Sequence, residues 1–235
     1  MVELRRLKLP VGVSTLLLAA TLIVRADSQK TAADYAADPA AMVEAYRHVE
    51  VASVSDAMEQ LLLIAEGKAV PMIMPSGWTP LGGQVMTSDA TKDPFNDELM
   101  KDILRYMHSH FRVKASAENR ALSGLSMGGI QTLNIGLENL GSFRYLAVMS
   151  SGWTTDKDRD SFFSSQASRF PSYNSELKPF WWGWGQTDIA RANSLLVTDR
   201  FKSLGVHMET TEKADCHEWK NWRLYLYEVA PKLFR

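Results

Sequence analysis

The sequence has almost no cysteine and almost no net charge, and each shortage excludes a class of protein. Cys216 is the only cysteine among 235 residues, so the chain can form no internal disulfide and no thiolate metal site. The formal net charge is −1, which gives no electrostatic reason to bind nucleic acid or an acidic membrane. His108 and His110 have no acidic or cysteine partner at ligand spacing. We therefore expect no metal, no nucleic acid and no stable membrane partner.

The N-terminal apolar run, residues 9–24, is short for a membrane span, which needs ~17–25 residues. Three basic residues precede it, and Val24-Arg25-Ala26 places small residues at the two positions that a signal peptidase reads. This order of segments is typical of a secretory signal. The pattern predicts a signal peptide over residues 1–26 and a secreted or periplasmic protein, with an uncleaved membrane anchor as the alternative.

A Gly-x-Ser-x-Gly motif at residues 124–128 is the most informative stretch of the chain. Residues 120–123 before it read as the end of a buried strand, and apolar residues recur at helical spacing over 130–140. Strand, sharp turn and helix are the context of the nucleophile elbow of an α/β-hydrolase. Side chains beside the serine would clash in so tight a turn, which explains the glycines. The motif predicts Ser126 as the nucleophile and the backbone N–H of Met127 as an oxyanion donor.

Strands and helices alternate along the rest of the chain. The predicted strands are residues 69–74, 120–123, 145–150, 179–185 and 207–211. The predicted helices are residues 96–111, one that begins at the elbow, one that ends at Leu204 and one that follows His217. Residues 156–177 are polar and read as a loop or small lid. The alternation predicts an α/β-hydrolase fold, a mostly parallel sheet with helices on both faces.

The domain boundary lies near Leu63, where the helical pattern of the sequence gives way to short apolar runs and turns. Residues 27–62 read as a helical leader to which we assign no chemistry. Residues 63–235 read as the hydrolase domain. In this fold the nucleophile, the acid and the histidine follow one another along the chain, each after a strand.

Asp188 and His217 are the residues that complete a triad with Ser126. Asp188 closes the strand over 179–185 and supplies a carboxylate, and His217 follows the next strand. His217 would take the Ser126 proton as general base, and Asp188 would fix the tautomer of its ring. Asp156 and Asp215 are rival acids, although Asp215 is only two residues from the histidine and reaches its ring awkwardly.

Several stretches together resemble one family of esterases. They are Leu63-Ile64-Ala65-Glu66-Gly67-Lys68, residues 120–129, Ser150-Ser151-Gly152, Gly185-Gln186-Thr187-Asp188, His217-Glu218-Trp219 and residues 226–235. From about Leu63 to the end the chain resembles the feruloyl and acetyl-xylan esterases of carbohydrate esterase family one. The resemblance implies hydrolysis of hydroxycinnamoyl or acetyl esters on plant xylan, without a metal or cofactor.

The N-terminal part departs from that family. Family members carry several strands before the stretch that resembles Leu63–Lys68, and one ends in a His-Gly loop that supplies the second oxyanion donor. No His-Gly pair occurs in this sequence, and residues 27–62 do not resemble those strands. The comparison with the family therefore predicts that the N-terminal strands are missing. A strand at 69–74 would then be unpaired along one side, and we predict a homo-oligomer formed through that edge.

Seven tryptophans are present, and an aromatic ligand such as ferulate stacks well on an indole ring. Trp153 and Trp219 lie just beyond strand ends, near the loops predicted to carry the acid and the base. Trp182 lies within a strand. We predict these three as the wall of the substrate cleft, while Trp181 is the alternative to Trp182 because alternate strand residues face opposite ways.

Two functions from different classes fit the sequence. The first is a secreted serine esterase acting on cell-wall polysaccharide through an acyl-enzyme. The second is a non-catalytic protein derived from a hydrolase, which binds a ligand or a partner and lacks a complete oxyanion hole. A third, acyl transfer, is open because mycolyltransferases also resemble this family.

Overall fold

The structure is a computed structural model that describes residues 15–20, 72–73, 75, 77, 87–110 and 113–234. The predicted helical leader, residues 27–62, lies outside the described residues, as do most of residues 1–26. A helix long and apolar enough to cross a membrane does not occur among the described residues.

One six-stranded parallel sheet organises the described chain. Its strands are β1 (Thr15–Ala20), β2 (Met72–Ile73), β3 (Arg120–Leu125), β4 (Tyr145–Met149), β5 (Phe180–Gly185) and β6 (Glu209–Lys213). Their order across the sheet is β2-β1-β3-β4-β5-β6, and every neighbouring pair is parallel. The carboxyl ends of all six strands therefore meet at one edge, where open α/β sheets place their ligands.

Helices connect the strands. They are α1 (Pro94–Asp97), α2 (Leu104–His110), α3 (Met127–Glu138), α4 (Asp156–Ser165), α5 (Phe170–Glu176), α6 (Arg191–Ser203) and α7 (Trp219–Val229). A π-helical segment, Glu98–Ile103, joins α1 to α2 and makes residues 94–110 one helical run. Short 3₁₀ helices cover Ala90–Lys92, Ala117–Asn119, Ala167–Arg169 and Ala230–Lys232.

Two apolar cores lie on the two faces of the sheet. Alternate residues of one strand enter different cores: Trp182 of β5 packs with α3, α4 and α6, whereas Trp181 packs with Tyr225 of α7. Because both faces are covered, the central strands β3, β4 and β5 are buried almost along their whole length. The predicted α/β-hydrolase architecture, with helices on both faces, is confirmed.

The prediction of a loop or lid over residues 156–177 is wrong. Thr155 caps α4 by accepting a hydrogen bond from the backbone N–H of Asp158 (3.1 Å). Phe162, Phe163 and Tyr173 are buried in the core although their neighbours in sequence are polar. The polar residues gave the segment its loop-like composition, but four aromatic rings, with Phe170 as the fourth, tie α4 and α5 to the sheet.

The inference that no strand of the sheet precedes Leu63 is also wrong. β1 lies inside the apolar run of residues 9–24 and pairs with β3 along six residues, from Thr15 opposite Arg120 to Ala20 opposite Leu125. A parallel strand covered on both faces has a nearly continuous apolar sequence, which resembles the apolar region of a signal peptide. The signal peptide stays a prediction, and it competes with β1 because cleavage after Ala26 would remove this strand.

Candidate active site

Ser126 occupies the sharp turn between β3 and α3. Its backbone has φ 52° and ψ −119°, a strained conformation for a residue with a side chain. Its N–H donates to the carbonyl of Met149 at the end of β4 (2.9 Å). A Cβ on Gly124 would lie 2.0 Å from the carbonyl oxygen of Gly128, so only glycine fits at this approach. The turn has the geometry that the Gly-x-Ser-x-Gly motif predicted.

The start of α3 provides a donor beside the serine. The first amides of an α-helix have no acceptor within the helix, so the N–H of Met127 is available to an oxyanion, and the helix dipole favours negative charge there. Ser151 supports the turn by donating from Oγ to the carbonyl of Ser126 (2.6 Å). A Cβ on Gly129 would lie 2.4 Å from Ser151 Cβ, so glycine is required for this contact.

Asp188 and His217 form a hydrogen-bonded pair at the same edge of the sheet. His217 Nδ1 lies 2.8 Å from Asp188 Oδ1, and the two side chains are 11% and 0% exposed. The backbone N–H of Ala190 donates to the same carboxylate oxygen (2.8 Å). Burial opposes ionisation of Asp188, but hydrogen bonds from His217, the Ser150 hydroxyl and Ala190 outweigh it and lower the pKa of the carboxyl below its usual value.

A close approach of two loops brings His217 to Asp188. The carbonyl oxygen of Asp215 lies so near the end of β5 that a Cβ on Gly185 would be 1.9 Å from it. Asn221 of α7 holds the same loop by donating to the carbonyl of Cys216 (3.0 Å). Gly185 and Asn221 therefore set the position of the histidine loop over the end of β5.

The second ring nitrogen of His217, Nε2, is free to accept a proton. Nε2 is buried and has no hydrogen-bond partner among the residues that the structure describes. The ring of Trp222 meets the imidazole edge-on, with centroids 5.1 Å apart and planes at 89°. An imidazole that is fixed through Nδ1 and free at Nε2 has the arrangement of a general base.

The two rival acids have other partners. Asp156 pairs with Arg159 at the start of α4, and its side chain is 91% exposed. Asp215 pairs with Lys220 (2.6 Å). Of the three candidate carboxylates, the structure brings Asp188 to the histidine.

The three predicted cleft tryptophans do not share one environment. Trp153 and Trp182 are fully buried (0% exposed), so their prediction as cleft wall is wrong, because a ring without exposed surface cannot touch a bound ligand. Trp153 is instead structural: its Nε1 donates to Asn134 Oδ1 (2.9 Å). Trp181, the alternative to Trp182, is 2% exposed. Trp219 is half-buried at the start of α7, two residues from His217, and stays a candidate.

Neither a second oxyanion donor nor a metal cluster is identified in the described part of the chain. Gly77 follows β2 and has φ +71°; its carbonyl accepts from Gln131 Nε2 of α3 (2.9 Å), which places this loop beside the elbow helix. His108 and His110 are exposed on α2, and groups of three or more metal-ligating side chains are absent from the described residues.

Sequence reasoning missed two polar partners of the site, Ser150 and Trp222. Ser150 follows β4 directly and is fully buried, and Trp222 Nε1 donates to its hydroxyl (2.9 Å). A signal was present, because two adjacent serines at the carboxyl end of a buried strand occupy the edge where site residues gather.

Comparison with known proteins adds a family and a fold. A family model described as "Putative esterase" matches residues 55–233. An endo-1,4-beta-xylanase/feruloyl esterase of Xylanibacter ruminicola is 28% identical over 179 residues, which are 74% of this chain and 22% of that protein. The chain thus spans about a fifth of the length of this curated relative.

Solved structures share the fold at low sequence identity. A CE1 ferulic acid esterase from Anaeromyces mucronatus, in complex with ferulic acid, has a TM-score of 0.62 at 16% identity, covering 95% of this chain and 79% of that one. An S-formylglutathione hydrolase from Staphylococcus aureus has a TM-score of 0.62 at 13% identity, covering 96% and 82%. At these identities the two likenesses show the fold, and they agree with the parallel sheet described above.

Proposed function

The chain is a serine hydrolase of the putative esterase family, and we propose that it cleaves hydroxycinnamoyl or acetyl esters of plant cell-wall polysaccharide. The single observation that carries the chemistry is the bond between His217 Nδ1 and Asp188 Oδ1 (2.8 Å) at the edge of the sheet that holds Ser126. A carboxylate, an imidazole and a serine on a strained turn are the parts of a Ser-His-Asp triad.

The reaction proceeds through an acyl-enzyme. Ser126 Oγ attacks the ester carbonyl while Nε2 of His217 takes the hydroxyl proton, and the N–H of Met127 donates to the oxyanion. Collapse of the tetrahedral intermediate breaks the bond to the alcohol, which receives the proton from His217. Water then attacks the acyl group by the same steps in reverse and regenerates Ser126. Asp188 stabilises the imidazolium at each stage. No cofactor takes part in these steps.

Two kinds of observation support a hydroxycinnamoyl acyl group: the names of the relatives, and two residues at the edge of the site. The curated relative is named an endo-1,4-beta-xylanase/feruloyl esterase, and one structural neighbour is in complex with ferulic acid. Ile189 follows the acid directly and is 82% exposed, which is unusual for a large aliphatic side chain. Trp219 is half-buried beyond the histidine. We propose that these two side chains contact the acyl group.

Assays on two esters test this function. Purified protein is offered methyl ferulate and p-nitrophenyl acetate, with Ser126→Ala as the background. Turnover of both esters in the ordinary enzyme range, ~1–10³ per second, with a preference for ferulate, supports the proposal. Binding of ferulate without turnover would favour the non-catalytic alternative, to which the unidentified second oxyanion donor points. Transfer to an added alcohol in preference to water would favour acyl transfer.

Location and assembly belong to the same proposal. A cell-wall substrate requires a secreted or periplasmic enzyme. Because the signal-like N-terminal segment carries β1, we propose an export that leaves residues 15–20 in the mature chain. In the described sheet β2 is an edge strand of two residues. A short edge limits pairing between chains, so this edge gives the predicted homo-oligomer only a small pairing surface. Light scattering on the purified protein tests the oligomer.

A further inference from the structure

Ser150 occupies the junction between the nucleophile and the acid. It follows β4, the strand that lies between β3 with Ser126 and β5 with the Asp188 turn. Its N–H donates to the carbonyl of Gly183 in β5 (2.7 Å), and the residue before it, Met149, accepts from the N–H of Ser126 (2.9 Å). Ser150 is therefore fixed by backbone bonds to both neighbouring strands.

The backbone of Ser150 is unusual. Its φ is 50°, in the left-handed region where glycine has no steric cost and a residue with a Cβ does. A serine at this position accepts that cost, and it is completely buried. A buried hydroxyl needs partners, which indicates that the side chain rather than the turn alone is used here.

Trp222 fixes the orientation of the Ser150 hydroxyl. The indole Nε1–H donates to Ser150 Oγ (2.9 Å). Because an indole N–H is only a donor, the serine oxygen is the acceptor in this bond and its own proton is left to donate elsewhere. The same indole ring packs edge-on against the imidazole of His217.

Asp188 supplies the acceptor. Oδ1 receives hydrogen bonds from His217 and Ala190, whereas Oδ2 is buried and has no partner of ordinary hydrogen-bond geometry among the described residues. Side-chain contacts link Ser150 to this carboxylate: Trp222 donates to Ser150 Oγ and packs edge-on against His217, whose Nδ1 lies 2.8 Å from Asp188 Oδ1. In agreement with this, the Ser150 hydroxyl is one of the groups that lower the pKa of Asp188. The buried oxygen without a partner and the Ser150 proton therefore belong to one cluster of contacting side chains.

We propose that Ser150 is a positioning residue for the catalytic acid: held by Trp222, its hydroxyl donates to Oδ2 of Asp188 and orients the carboxylate that holds His217. This inference rests on the proposed function, in which Asp188 and His217 act on Ser126. Ser150 touches neither substrate nor nucleophile in this scheme and acts through Asp188. The role of Trp222 is double, since it orients Ser150 and packs on the base.

Two substitutions at Ser150 separate the hydroxyl from the backbone. Ser150→Ala removes the hydroxyl and keeps the strained backbone, while Ser150→Gly removes both. A hydrogen bond to a charged group corresponds to roughly 10–100-fold in rate. We expect kcat for p-nitrophenyl acetate to fall by this factor in both variants, with KM changed less than about twofold. Ser164→Ala, on the exposed face of α4, is the matched control and keeps wild-type kcat.

Trp222→Phe tests the hydrogen bond from Trp222 to Ser150. It removes the indole N–H and keeps an aromatic ring against His217. We expect a fall in kcat smaller than that of Ser150→Ala, and a double variant no worse than Ser150→Ala alone, because the two residues act through one bond. Independent, multiplicative losses would contradict the chain from Trp222 through Ser150 to Asp188.

An NMR measurement separates failure of this inference from failure of the proposed function. The proton between His217 Nδ1 and Asp188 Oδ1 resonates far downfield and is observable without turnover. Ser150→Ala is expected to shift or broaden this resonance relative to wild type and Ser164→Ala. Wild-type kcat and an unmoved resonance in both Ser150 variants would overturn the inference. A wild-type protein with the resonance but without esterase activity would overturn the proposed function instead.

Discussion

The two halves of the sheet differ in how the chain builds them. Strands β3 to β6 come from one continuous stretch, residues 120–213, and this half carries the elbow and the Asp188 turn, with His217 just after it. Strands β1 and β2 come from distant segments, Thr15–Ala20 and Met72–Ile73, and β1 is inserted between β2 and β3. The proposed catalytic residues thus belong to one half, while the other half completes the sheet beside the elbow strand.

The largest expected effect comes from removing β1. A chain of residues 27–235 lacks the strand that pairs with β3 along six residues, so both β2 and β3 lose a neighbour. We expect this deletion to abolish cooperative unfolding as followed by circular dichroism with urea. A deletion of residues 1–8, which ends before the strand, is the control and is expected to fold.

A second experiment decides whether residues 15–20 stay in the mature protein as β1 or are removed with a signal peptide. Mass spectrometry of the protein recovered from an exporting host shows whether residues 15–20 remain. A mature, folded and active protein that begins after Ala26 would contradict the role of β1 in the sheet.

Ser126→Ala, in the half of the sheet that carries the elbow, is expected to remove activity and to leave stability almost unchanged. Loss of a triad nucleophile typically costs on the order of 10⁶ in turnover. Ser126 is partly buried and its side chain makes no capping hydrogen bond to α3, so the free energy of unfolding should change by less than about 0.5 kcal/mol. Steady-state assays and urea titration on one sample measure both quantities. Wild-type turnover in this variant would exclude Ser126 as the nucleophile.

Asp188→Asn is expected to have the next largest effect. An asparagine favours the wrong histidine tautomer, and this change in a triad costs about 10⁴ in kcat. The lowered pKa of Asp188 adds a dependence of stability on pH. Ionised Asp188 stabilises the fold above the unfolded value of ~3.9, and this contribution is lost as pH falls through the lower folded pKa.

Unfolding at two pH values measures that contribution. The difference in free energy of unfolding between wild type and Asp188→Asn should be larger at pH 7 than at pH 3. A difference that stays constant, or grows toward pH 3, would show that the carboxylate does not stabilise the folded state through its charge.

The smallest expected effect is at Trp219. Stacking of an aromatic acyl group is worth ~0.5–1.5 kcal/mol beyond area burial, or roughly 2–10-fold. Trp219→Ala should therefore lower kcat/KM for methyl ferulate more than for p-nitrophenyl acetate. Tyr227→Ala, an exposed aromatic on the same helix, is the control. Equal losses for both esters would assign Trp219 to packing alone.

The half of the sheet with the site could be predicted closely from the sequence. The elbow motif has strict steric demands, shown by the contacts of Gly124 and Gly129, and such demands leave a short, specific signature. The order of nucleophile, acid and histidine along the chain led to Asp188 and His217, which the structure joins.

The remainder was hidden for physical reasons. A strand of a parallel sheet and an apolar signal segment have similar compositions, which concealed β1. The tryptophans were misassigned because a ring's exposure depends on packing across the sheet, as the hydrogen bond of Trp153 to Asn134 shows. Ser150 was quoted within a motif, but its role depends on Trp222, which lies 72 residues further along the chain.

The most direct test of the account is to trap the acyl-enzyme. Wild-type protein is mixed with methyl ferulate, quenched in acid within the first turnovers, digested and analysed by mass spectrometry. We predict one feruloyl group per chain, attached to the peptide that contains Ser126, and a burst of methanol that matches it in amount. Turnover of methyl ferulate with no acyl group on Ser126, or with the group on another residue, would contradict the account.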